Sequence, residues 1–188
     1  LTGHDRQSKH LKESMMNQID IQYYKTSIGE LILGSFGQEL CLLDYRYRKM
    51  RTVVDQRITK GLNAVYTEKD NELLAMTRTR IAEYLKGERP EFDIPVLMVG
   101  SDFQKKVWNA LLTIKYGKTA SYAELAKSID QANAVRAVAS ANGANAISII
   151  IPCHRIIGSN GELTGYAGGL PVKKKLLDLE KTYSGYIQ

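Results

Sequence analysis

The chain has 188 residues, 44% hydrophobic and 24% charged. This fits one large or two small globular domains and excludes a coiled coil, a fibre or wholesale disorder. The longest nearly apolar run, residues 146–152, falls far short of the ~20 residues that a bilayer-spanning helix needs, so no membrane partner is expected. The net charge is +6, with 15 basic and 14 acidic residues up to Val96, then 11 basic and 6 acidic. A positive second half suits a polyanion held through its phosphates, although a basic surface that binds nothing gives the same count.

Two cysteines, Cys41 and Cys153, cannot build a multi-bridge disulfide framework and point to a reducing, cytoplasmic compartment. Residues 1–16 have charges where a signal peptide needs an apolar stretch, so they read as a loose leader outside the fold. Alternating Ile19, Ile21 and Tyr23, then the runs Leu31–Phe36 and Leu40–Tyr45, predict an antiparallel meander. Residues 46–66 give weak signals. From about Glu68 the apolar positions fit a helix through Leu74, Ile81 and Leu85, stopped by Gly87 and Pro90. The linker Gly87–Pro95 divides a small α+β unit, 17–92, from a second unit, 93–188.

In the second unit, Phe103, Val107, Leu111 and Ile114 mark one face of a core-facing helix. Ser121 and Glu124 form a capping box that opens a short helix to about Ile129. Asn133 is the expected cap of the next helix, Ala134–Ala141, closed by Asn142-Gly143. Two short helices and a tight turn make a helix-turn-helix. Its second helix is unusual: Ala134, Ala137, Ala139, Ser140 and Ala141 are small, and Arg136 is its only charge. That composition suits either close approach to a nucleic-acid backbone with one Arg to insert, or ordinary packing. Ile147–Ile151 reads as a buried strand delivering Pro152-Cys153-His154-Arg155. On adjacency alone, Cys153 is either a buried apolar thiol or a reactive one. In an extended chain Cys153 and His154 face opposite ways. They can share a proton only if the chain turns or a water bridges them.

The run IIIPCHRIIGSNGELTGYAGGLPVKKKLLDLE, with FQKKVWNALLTIKYGKTASYAELA and RAVASANGAN before it, resembles the O6-alkylguanine-DNA alkyltransferases over residues 101–181. The resemblance implies an α+β fold: a variable N-terminal domain with a small antiparallel sheet and helix, and a mostly helical C-terminal domain carrying the helix-turn-helix and the reactive Cys. It implies stoichiometric, irreversible repair of O6-alkylguanine in double-stranded DNA without a cofactor, and leaves O4-alkylthymine open as a second substrate. Cys153 is then the acceptor, His154 its base acting through a water, and Glu180 the carboxylate orienting that His. Asn145 braces the helix-turn-helix against the active-site loop, and Tyr122 helps rotate the nucleotide out and donates a proton toward the purine. Arg136 is the finger that enters the duplex. Ala134, Ala137, Ser140 and Gly143 join it and Tyr122 on the DNA face. Tyr166, Pro152 and Ile156 line the base pocket, with Lys173 and the Ala167 N–H toward guanine O6.

The flipped base and small-residue helix imply minor-groove entry with weak sequence preference and salt-sensitive affinity. Four places depart from the family: Lys115, Gln131-Ala132-Asn133, Ser148, and Asn142, where some members have a larger apolar residue. Their effect falls on substrate range. No metal is expected, because the zinc site of some relatives cannot be assembled from Cys41 with His4 and His10, and Cys41 reads as a core residue. A monomer is expected. Two competing readings are a lesion-binding protein that accepts no alkyl group, against which Cys153 argues, and a Cys-His hydrolase, which would need an oxyanion hole.

Overall fold

The computed structural model describes residues 16–186; most of the leader, with His4 and His10, lies outside them. Strands β1 (Asn17–Thr26), β2 (Gly29–Phe36) and β3 (Glu39–Tyr45) form the expected antiparallel meander. Gly29 at φ +114 and Gly37 at φ +58 serve the two turns. Residues 46–66, which gave little signal, hold helix α1 (Arg51–Leu62) and the start of β4 (Ala64–Glu68), which adds parallel to β1 and gives the sheet order β3-β2-β1-β4.

Helix α2 (Glu72–Leu85) begins four residues later than expected, because residue 68 still pairs in β4 and Asn71 caps the helix by accepting from Leu74 N. Gly87, at φ +78, turns the chain out of it. The linker does not hang free. Leu40 N donates to Pro95 O at 2.8 Å and Leu97 N to Leu40 O at 2.9 Å, so it covers the open edge of β3.

Helix α3 (Asp102–Leu111) is held at its start by a Ser101/Gln104 capping box, and buries Val107, Trp108 and Leu111. The two-residue strand β5 (Ala120–Ser121) leads into α4 (Tyr122–Ser128), opened by the Ser121/Glu124 capping box foreseen from sequence. Helix α5 spans Val135–Gly143. Its N-cap is Ala134 without a side-chain bond, not Asn133. Asp130 at φ 58 and the Gln131 O to Ala134 N turn bring the chain round by backbone geometry alone. Helices α3, α4 and α5 pack on one another. Strand β6 (Ile156–Ile157) pairs parallel with β5, and α6 (Leu170–Tyr183) closes the described chain.

The sheet is buried on both faces. One face, with Ile19, Ile32 and Leu42, packs on Val54 and Ile58 of α1 and includes Cys41, a core residue as expected. The other places Leu31, Leu33, Leu40 and Leu43 in one continuous core with Trp108, Leu111, Ile151 and Leu176. The first hundred residues and the helix-turn-helix therefore share one apolar interior, which fixes the segment around Cys153 between them. No described helix is long and apolar enough to cross a membrane.

Candidate active site

The expected strand Ile147–Ile151 is instead a tight turn. Ile147 makes an isolated bridge to Leu43, and Ile149 takes φ +73, a conformation costly for a β-branched residue. Tertiary anchoring overrides local propensity: Leu43 N donates to Ala146 O, and Ser148 N donates back to Leu43 O at 2.7 Å. The Asn145 side chain ties the turn together. Its Oδ1 accepts from Ile147 N at 2.9 Å and its Nδ2 donates to Ile151 O at 2.8 Å. The turn runs into a single 3-10 turn, Cys153–Arg155. Cys153 and His154 therefore sit on a bent chain, not an extended one.

His154 is fully buried, with Nε2 at 2.7 Å from Glu180 Oε1. The carboxylate can only accept, so Nε2 carries the hydrogen and Nδ1 is the basic nitrogen. That Nδ1 is buried and has no partner among the described residues. Burial holds the imidazole below its ordinary pKa despite the Glu180 contact, so it is neutral and able to take a proton at pH 7.

Glu180 is the most heavily bonded group of the site. Arg155 grips it with Nε at 2.8 Å on Oε2 and Nη2 at 2.9 Å on Oε1. Tyr84 Oη donates to Oε1 at 2.7 Å and Gly117 N to Oε2 at 3.2 Å. Burial alone would raise its pKa, but the bonds from His154 and Arg155 outweigh it and bring it down to about 2. Tyr84 and Gly117 were not singled out from sequence, and Arg155 was named only as a member of the Pro152–Arg155 motif.

Burial pushes the Cys153 thiol up; a hydrogen bond with the Asn145 side chain and the charges of Arg48 and Lys173 pull the other way. The thiol remains the favoured form, so a base must remove its proton as it reacts. Cys153 lies in a cavity of about 230 Å³ whose walls come from three places. Ala139, Asn142, Gly143 and Asn145 form the helix-turn-helix side, Gly165, Tyr166 and Ala167 face them with Tyr122, and Arg48, Lys49 and Met50 come from the loop after β3. This is below the ~300 Å³ of drug-sized pockets and of the order needed for one base. Tyr122 Oη donates to Thr164 O at 3.1 Å, and Tyr166 Oη pairs with Tyr45 Oη at 2.9 Å.

Three residues assigned to the pocket by resemblance lie elsewhere. Lys173 is completely buried, and its ammonium donates to Ile156 O, Thr164 O (2.9 Å) and Gly165 O (3.3 Å). It holds the loop that forms the wall and does not line the cavity, because those three carbonyls use all its donors. Ile156 is fully buried in β6, and its carbonyl is one of those acceptors. Pro152 lines a second cavity, of about 590 Å³, bounded by Phe92, Ile114, Tyr116 and Arg155. On α5, Arg136, Ala137, Ser140 and Gly143 are exposed along one side while Val138, Ala141 and Asn142 face inward; Ala134 is half-buried at the helix start.

The loop after β3 was also missed. Arg48 binds Asp44 Oδ2 (2.9 Å), Gly143 O (2.7 Å) and Asn145 O (3.0 Å), and Arg57 donates to Ala144 O at 2.7 Å. No spacing signal links residues nearly a hundred positions apart.

Two family profiles match the chain: the ribonuclease-like domain of 6-O-methylguanine DNA methyltransferase over residues 20–98, and its DNA binding domain over 102–182. A methylated-DNA–protein-cysteine methyltransferase of Mycobacterium bovis is 56% identical over 166 residues, 85% of this chain and 93% of that protein. The inducible one of Bacillus subtilis is 50% identical over 115 residues, 61% of this chain and 64% of that protein. The crystal structure of the Mycobacterium tuberculosis protein in complex with DNA superposes with a TM-score of 0.73 at 38% identity, covering 88% of this chain and 94% of that one. The chain belongs to the 6-O-methylguanine DNA methyltransferase family.

Proposed function

We propose that the protein repairs DNA by direct reversal, moving the alkyl group of an O6-alkylguanine onto its own Cys153. The observation that carries this reading is the Glu180–His154 pair at 2.7 Å beside a buried thiol in a base-sized cavity. Glu180 fixes the imidazole so that Nδ1 is the proton acceptor, and that nitrogen takes the thiol proton directly or across one water. Sγ then attacks the alkyl carbon. The S–C bond forms, the C–O6 bond breaks, and its electron pair stays on the purine, which takes up one proton and leaves as guanine. Tyr122, which lines the cavity, supplies a proton toward the purine once its hydroxyl turns from Thr164 O. The thioether is not hydrolysed, so each chain acts once.

The reactive carbon lies inside the duplex and the thiol lies in a cavity, so the nucleotide must swing out at a cost of a few kcal/mol. The exposed side of α5 serves this step. Its small residues permit close approach through the minor groove and Arg136 fills the gap. Few base edges are read, which gives weak sequence preference and affinity that falls with salt. The protein acts as a monomer on duplex DNA. A reaction that consumes a reduced thiol belongs in a reducing compartment, the cytoplasm.

The test is intact-protein mass spectrometry after mixing with excess duplex containing O6-methylguanine, followed by peptide mapping. One methyl, about 14 Da, fixed on Cys153 and saturating at one per chain is expected of an irreversible thiolate acceptor. Cys153→Ala should show none while still binding DNA. Tight binding without a mass change in the unmodified protein would make it a lesion-binding protein instead.

A further inference from the structure

Asn142 lies in the last turn of α5, only 4% exposed, and lines the Cys153 cavity. Its carboxamide oxygen is buried and has no hydrogen-bond partner among the described residues. The other buried or half-buried polar side chains of the wall are engaged: Asn145 with Ile147 and Ile151, Tyr166 with Tyr45, Tyr122 with Thr164, Arg48 with Asp44 and two carbonyls. A buried amide oxygen left without a partner is destabilising, and in a residue that lines a ligand cavity a bound base can supply that partner.

We infer that Asn142 is a specificity-determining residue, whose carboxamide reads the edge of the flipped base and selects O6-alkylguanine. The inference rests on the transfer reaction proposed above. A carboxamide offers one acceptor and one donor side by side. Alkylation at O6 removes the N1 hydrogen, so O6-alkylguanine presents an N1 acceptor next to its N2 amino donor, the complement of the amide. Intact guanine presents two donors there, N1–H and N2–H. O4-alkylthymine presents two acceptors, N3 and O2, and leaves the Asn142 oxygen unpaired. One amide thus favours the alkylated purine over both the repaired product and the alkylated pyrimidine, by mismatching each competitor. An apolar residue at the position could not make that distinction.

The experiment measures single-turnover rates of Cys153 methylation by intact mass, on duplexes carrying O6-methylguanine, O6-methylhypoxanthine, which lacks the N2 amino group, or O4-methylthymine. The unmodified protein is compared with Asn142→Met and Asn142→Leu, each checked for an unchanged thermal melt. Loss of the N2 amino group should slow the unmodified protein about tenfold, and the apolar variants by less than about twofold. The preference for O6-methylguanine over O4-methylthymine should narrow in the same variants. If the unmodified protein methylates itself equally fast from O6-methylguanine and O6-methylhypoxanthine, the inference is overturned while the transfer reaction stands. The same holds if the variants discriminate as well as the parent. Methylation from none of the three substrates would overturn the transfer reaction, and the inference with it.

Discussion

Tyr84 Oη reaches Glu180 Oε1 at 2.7 Å, joining a helix of the first hundred residues to the carboxylate that orients His154. The hydroxyl is also 3.4 Å from His154 Nε2, so it packs into the same hydrogen-bonded group. Tyr84→Phe removes one neutral donor and leaves the Arg155 grip intact. The acceptor is an ionised carboxylate, so the expected loss is about 2 kcal/mol of stability, with a transfer rate lowered several-fold. Urea melts and stopped-flow rates with free O6-benzylguanine check the two effects separately; unchanged values for both would exclude Tyr84 from the relay.

Glu180→Gln is a harsher change. It deprives the buried Arg155 guanidinium of its counter-charge, which costs roughly 3–5 kcal/mol when a buried pair is broken. The neutral amide also no longer stabilises an imidazolium on His154. Both stability and rate should fall, and a variant that transfers at the parental rate would remove the carboxylate from the mechanism.

The pH dependence follows from the same groups. Glu180 has a folded pKa of about 2 against an ordinary 4.5. Its contribution to stability is therefore fully present above about pH 4.5 and is lost as pH falls toward 2. Cys41, buried in the sheet, has a thiol pKa raised from 9.0 to about 12, so its contribution holds below about pH 9 and disappears as pH rises toward 12. The raised Cys153 thiol predicts that reaction with O6-benzylguanine accelerates as pH rises above neutrality. Denaturant melts from pH 2 to 11 and a pH–rate profile test these slopes. A flat profile would mean that thiol deprotonation does not limit the reaction.

Arg136 is exposed on α5 and makes no side-chain hydrogen bond or ion pair among the described residues. Arg136→Ala should slow repair of a duplex at least tenfold more than reaction with the free base, and leave the melting temperature within about 2 °C. Equal losses on both substrates would show that it is not a wedge.

Gly168 lies against the ring of Tyr45; a Cβ added there would come within 2.6 Å of the ring. Gly168→Ala must displace Tyr45 and with it the hydroxyl pair that holds Tyr166 in the cavity wall. The expected outcome is a transfer rate reduced about tenfold on both DNA and free base, since the pocket itself changes shape. Single-turnover rates on the two substrates decide it.

The meander, the Ser121 capping box and the Cys153-His154 pair were all legible in the sequence, because each is a local pattern of alternation, cap spacing or motif. Helix α1 was not, because only Val54 and Ile58 are buried in it and Met50 gives it no side-chain cap. The β-branched run at Ile147 misled for the opposite reason. Its composition suits a strand, while bonds to Leu43 and Asn145 fold it into a turn. Within the site, Glu180 was found only through family resemblance, and its partners Tyr84 and Gly117 not at all. Arg48, Tyr45 and Lys173 show the same limit, since pairings across 8 to 121 positions leave no periodicity to read.

Helix α5 ends on carbonyls that its own segment does not satisfy: Gly143 O and Asn145 O are met by Arg48, and Ala144 O by Arg57. Both arginines come from the first hundred residues, and they neutralise the negative pole of α5. The length of α5 is thus a property of the whole molecule. A fragment beginning after the linker would keep every reacting group yet lose the clamp that sets where the helix stops and the catalytic turn begins. The two halves are tied mechanically, and a substitution at Arg48 is expected to shift the turn that carries Cys153.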